Sequence, residues 1–253
     1  MPKSKPEAGP PRPQAPGGYL HWSRDPAVGL FAVLPLWLLY EALRLTLAPH
    51  ERNGAEAILA EALGLLGPQA VLILRGVFAF TVLVAAWSLH ARAVPWAKVA
   101  AVSALEGTLY ALLLGPLAAI LATSSQRVLQ AAAPGSAQGS LAADLVASLG
   151  AGIFEELFFR LILLSLLAYV AVRACAAFGV PRPLGVAFAV LASALLFALF
   201  HHLGPEAPPV HRGVFLFRTC AGLLLGILFV ARGFGVAVYT HSIYDVVFYL
   251  TNR

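Results

Sequence analysis

Gly152-Ile153-Phe154-Glu155-Glu156-Leu157-Phe158-Phe159-Arg160 decides how this chain is read. Three ionisable groups stand here in a largely apolar run from Leu141 to about Tyr169. The whole chain is 60% hydrophobic and 11% charged, where soluble domains carry about 25% charged residues. The cluster therefore lies in a membrane helix. Each charge there costs about 2.5–3.5 kcal/mol on the insertion scale, so such groups persist only with partners and mark a functional site.

Spacing separates the two carboxylates. At about 100° per residue, Glu156 and Arg160 are i and i+4 and share a face. Glu155 points about 100° away and needs a partner from elsewhere. A carboxylate buried without a cation has its pKa raised, which suits a general base near neutral pH. A structural Glu–Arg pair beside one extra polar residue in a crevice is the alternative reading of this motif taken alone.

Working outward, the apolar runs predict an all-α, polytopic transmembrane bundle of about seven to eight spans. They cover about 27–48, 69–90, 97–122, 141–176, 183–202, 213–231 and 234–251. The fourth is too long for one straight crossing and is expected to be kinked or divided near Gly150 and Gly152. No internal repeat is visible, and the lack of period-two alternation argues against a β-barrel. Residues 1–18 hold six prolines and three glycines and read as a disordered tail without the apolar stretch of a signal peptide. Residues 19–140 read as N-terminal transmembrane helices, with the polar connections 49–68 and 123–140 between them, and 141–250 as the core that carries the motifs. Tyr19, His21 and Trp22 look interfacial. Arg75 and Glu106 are buried charges expected to bridge one another. Cys175 and Cys220 fall in or beside apolar helices and read as packing residues, not a disulfide. The net charge of +5 is spread over short loops without interleaved aromatics, so nucleic acid is not the expected partner; the lipid bilayer is. With the N-terminus inside, nine basic residues, among them Arg24, Arg92 and Arg232, fall on the cytoplasmic side and four fall outside, as the positive-inside rule prefers.

Two further motifs bring imidazoles to apolar helices. Phe197 and His201 are i, i+4 at the end of the fifth span. His241 and Asp245 are i, i+4 in the seventh, where Asp245 is expected to set the tautomer and orientation of His241. A single histidine in such a helix is usually a satisfied core residue. Acid or imidazole groups on three separate apolar helices point instead to a shared site.

EExxxR, then FxxxH, then Hxxx(N/D) after a Gly-rich span resembles the CPBP family of intramembrane glutamic-type proteases, which includes the type II CAAX prenyl endopeptidases (the Abi family). The resemblance covers about residues 141–250, including Ala221-Gly222 to Gly226 and Arg232-Gly233. The family commonly has Asn where this chain has Asp245. The resemblance implies a multi-pass cell-membrane endopeptidase acting on a membrane-associated peptide or protein: a CAAX-like tail, a bacteriocin-like leader or another anchored peptide. Glu155 and His201 would activate water, His241 and Asp245 would stabilise the oxyanion, and Glu156 and Arg160 would orient the site. No cofactor is expected. Zinc stays possible, with Glu155, His201 and His241 as alternative ligands, since two His and one Glu are a common catalytic set. A non-catalytic transporter or scaffold that uses the same buried cluster is the competing class.

Overall fold

With no water in the hydrocarbon core to satisfy the backbone, an apolar chain of this kind closes its hydrogen bonds within helices. The computed structural model describes residues 17–46, 69–122, 140–203 and 210–251, and among them every regular element is a helix. They are α1 (Tyr19–Trp22), α2 (Pro26–Arg44), α3 (Ala70–Ala91), α4 (Trp96–Leu121), α5 (Leu141–Ala177), α6 (Arg182–Phe200), α7 (Arg212–Arg232) and α8 (Phe234–Thr251). The expected tail at 1–16, the connections 49–68 and 123–139, Arg52-Asn53-Gly54 and the Arg75 side chain lie outside the described residues. Among the described residues five helices are long and apolar enough to cross a membrane: α2, α4, α5, α6 and α7. They turn residues such as Leu38, Leu105, Ile120, Phe188 and Ile227 outward, as lipid-facing surfaces do.

The fourth span is not divided. It runs unbroken for 37 residues, and its accommodation is a change of winding. Ala151–Glu155 and Leu157–Leu164 are π-helical, with i→i+5 hydrogen bonds. Hydroxyls supply further bonds to this widened backbone. Ser193 Oγ on α6 donates to the Phe159 carbonyl at 2.9 Å, and Ser165 Oγ donates to that of Arg160 at 3.3 Å.

The last helix, α8, is the axis of the bundle. Residues on all its sides are buried, including Val236, Ala237, Val238, Thr240 and Ser242. Its hydropathy falls short of the five spans because it also carries His241 and Asp245, which neighbouring helices enclose. Without a strong hydrophobic drive between helices in lipid, close approach depends on small residues. A Cβ on Gly107 of α4 would lie 2.6 Å from Tyr239 Cβ, and one on Gly115 would lie 2.6 Å from the Tyr244 ring. The closest crossing is α5 on α8, where a Cβ on Gly152 would come 2.0 Å from Ser242 Oγ and 2.6 Å from its backbone nitrogen. Gly152→Val is therefore expected to lower the thermal midpoint in detergent sharply, by several kcal/mol of stability, because a backbone atom cannot step aside. A midpoint equal to wild type would show that the helices can separate without cost. Gly233, at φ 95°, makes the single-residue turn between α7 and α8 against the Ser23 carbonyl. Only glycine takes that backbone angle without strain.

The N-terminal segment is tied into this end of the bundle. Asp25 caps α2 by accepting from the Ala27 and Val28 amides and pairs with Arg92. Burial opposes ionisation of Asp25, but these partners outweigh it and hold the carboxyl below its usual range. Arg24 Nε donates to the Ala231 carbonyl at 2.6 Å. Arg24, Arg92 and Arg232 thus share one end, as the loop charges predict. Trp22 departs from the interfacial reading: it is buried with Val28, Leu89, Val94 and Val99. Glu106 meets Arg232 at 2.7 Å, with Tyr19 and Tyr110 donating to the same carboxylate; its expected bridge to Arg75 lies outside the described residues. Cys175 and Cys220 are free, partly buried thiols.

Candidate active site

The π-helical winding of α5 carries both glutamates into the interior, where Glu155 is 8% exposed and Glu156 is fully buried. Glu156 Oε1 lies 3.0 Å from Arg160 Nη1, the i, i+4 pair read from the sequence. Arg160, 1% exposed, also donates to the Gly222 carbonyl at 3.4 Å. Its guanidinium sits 4.3 Å above the Phe197 ring. Phe197 in turn packs against His201, with ring centroids 4.8 Å apart. The FxxxH spacing thus puts one aromatic ring between the arginine of α5 and the histidine of α6.

His201 follows directly on the last residue of α6. Its Nδ1 is 2.9 Å from the Phe197 carbonyl. A carbonyl oxygen only accepts, so Nδ1 carries the proton and Nε2 of the neutral ring is an acceptor. That Nε2 lies 3.7 Å from Glu155 Oε2. The gap is too long for a direct hydrogen bond and suits a water that donates to both groups.

His241 corrects the sequence reading. Its orienting partner is Glu156 on α5, whose Oε1 accepts from Nδ1 at 2.8 Å. Asp245 stands at 3.5 Å from Nε2, in ion-pair range but beyond a short hydrogen bond. Being i and i+4 brings Asp245 near; the inter-helix contact at Gly152 brings Glu156 nearer. Glu156 therefore serves two side chains, one local and one from α8.

Glu155, His201, His241 and Asp245 line one cavity of about 50 Å³. It has room for one or two waters, at about 30 Å³ of liquid volume each. Among the described residues no three His, Cys, Asp or Glu side chains form a metal-holding group. Two polar lining residues were not singled out from the sequence, Arg218 on α7 and Tyr244 on α8. Arg218 is 6% exposed. A signal for it existed: an arginine inside the apolar run from Val214 to Val230 is costly unless it serves a site.

Residues 137–247 match a family model described as Rce1-like, type II CAAX prenyl endopeptidase. No curated protein and no solved structure matches the chain.

Proposed function

Residues 137–247 form a domain of the Rce1-like type II CAAX prenyl endopeptidase family, and from that premise we propose how this membrane-embedded protease cleaves its substrate. In this reading it hydrolyses a peptide bond of a membrane-associated peptide in the cell membrane with a water activated by Glu155 and His201. The observation that carries the proposal is the 3.7 Å gap between Glu155 Oε2 and an unprotonated His201 Nε2 at a water-sized cavity. The water oxygen attacks the scissile carbonyl carbon while its proton passes to this pair. The carbonyl electron pair moves to oxygen, and His241 lies in the cavity to stabilise the charge that forms there. The tetrahedral species then collapses, the C–N bond breaks, and the stored proton goes to the leaving amine. Glu156 and Arg160 are positioning residues, acting through His241 and Phe197. Residues 141–250 hold the chemistry, and α2 and α4 brace α8 from outside.

The test uses purified full-length protein on a panel of membrane-anchored peptides: a farnesylated CAAX peptide, a bacteriocin-type leader and a palmitoylated juxtamembrane peptide. Cleavage of at least one is expected, and cleavage of none would overturn the reading. The same preparation addresses zinc. After exhaustive chelation we expect the rate to hold and elemental analysis to find no stoichiometric metal. Metal near one per chain, with activity lost on removal and restored by zinc, would make Glu155, His201 and His241 ligands instead.

A further inference from the structure

The proposed hydrolysis places negative charge on the former carbonyl oxygen, and the donors for that charge are not evenly supplied. Asp245, where the family commonly has Asn, donates only when protonated, whereas an amide donates at any pH. His241 is engaged on one side by Glu156 at 2.8 Å and faces Asp245 at 3.5 Å on the other. Its Nδ1–H is thus directed toward Glu156, and its Nε2 faces Asp245. Arg160, the buried cation of α5, meets Glu156, the Gly222 carbonyl and the Phe197 ring.

Arg218 differs in placement. It projects from α7 into the cavity shared by Glu155, His201, His241 and Asp245. It is buried, and its charge acts on both Glu155 and His201. A guanidinium keeps its N–H donors at any working pH and offers two of them in a fixed fork. In a low-dielectric cavity such donors are worth far more than in water, provided they are in place before charge develops.

We propose that Arg218 is a further catalytic residue, donating hydrogen bonds to the oxyanion beside Asp245, whose carboxyl group donates only when protonated. The proposal rests on the hydrolytic reading above. No proton leaves Arg218. It holds the electron pair displaced from the C=O bond on oxygen until that pair reforms the carbonyl and the C–N bond breaks.

Arg218→Met, Asp245→Asn and the double variant are compared on those panel peptides that the wild type cleaves. Arg218→Met is expected to lower kcat by about 10²–10³-fold with KM little changed, the loss typical of one oxyanion donor. In the Asp245→Asn background the same substitution is expected to cost about tenfold less, because the new amide takes part of the load and coupled residues are not additive. Guanidinium ion added to Arg218→Ala should restore part of kcat, which a purely structural role would not allow. Wild-type kcat in Arg218→Met, a loss confined to KM, or equal losses in both backgrounds would each overturn the proposal. Should Arg218→Met not fold, Arg218→Lys keeps the buried charge but lacks the fork; lowered kcat is expected, and wild-type kcat would overturn the assignment. Failure of the hydrolytic reading looks different: the wild type cleaves nothing, or Glu155→Gln cleaves at full rate.

Discussion

Glu155→Gln is expected to cut turnover by about 10²–10⁴-fold, the contribution of a positioned general base, while folding and membrane insertion stay intact. An amide fills the same volume, so the cavity keeps its shape, but it has no basic oxygen to take a proton from water. Little stability is at risk, because among the described residues the ion-pair partner of Glu155 is His201, at a loose 3.7 Å. Removing a buried carboxylate with so loose a partner costs far less than breaking a close pair. Single-turnover cleavage and thermal unfolding in detergent, measured on the same preparation, separate the two effects. A variant that unfolds like wild type and still cleaves at the full rate would remove Glu155 from the chemistry.

Glu156→Gln is expected to act the other way round, with its largest effect on stability. This carboxylate is fully buried and lies against Arg160 at 3.0 Å and His241 at 2.8 Å. Taking away its charge leaves Arg160, 1% exposed, as an uncompensated buried cation. Breaking one buried pair in this manner costs about 3–5 kcal/mol, enough to unfold a marginal membrane protein at moderate temperature. Activity falls too, but through position: His241 loses the acceptor that orients its ring. The folded fraction should therefore show lowered kcat, while Glu156→Asp, which keeps the charge on a shorter stem, recovers part of the thermal midpoint. A Glu156→Gln protein as stable as wild type would mean that Arg160 is satisfied by the Gly222 carbonyl and the Phe197 ring alone.

The contrast between these two adjacent glutamates was half legible in the chain itself. Helical spacing alone pairs Glu156 with Arg160 and Phe197 with His201, since residues i and i+4 share a face whatever surrounds them. Apolar run lengths likewise place α2, α4, α6, α7 and α8 to within a few residues, because the bilayer sets how long a span must be. Those are local properties, and sequence by itself determined them, together with the motif order that marks the family.

What crosses from one helix to another was decided only by the tertiary structure. The bond from His241 to Glu156, preferred over its own i+4 neighbour Asp245, depends on the rotation of α5 against α8. That rotation comes from the backbone contact at Gly152 and Ser242 and from the π-helical widening around Glu155. Neither the crossing point nor the widened winding follows from 3.6-residue periodicity. The same holds for Glu106, which meets Arg232 across 126 residues, and for Arg218, whose place in the cavity depends on how α7 lies beside α6 and α8. Helix propensity and hydropathy act along the chain. Partner choice among buried charges is settled by which side chains the small-residue contacts bring within about 4 Å, where a charge pair offsets its desolvation.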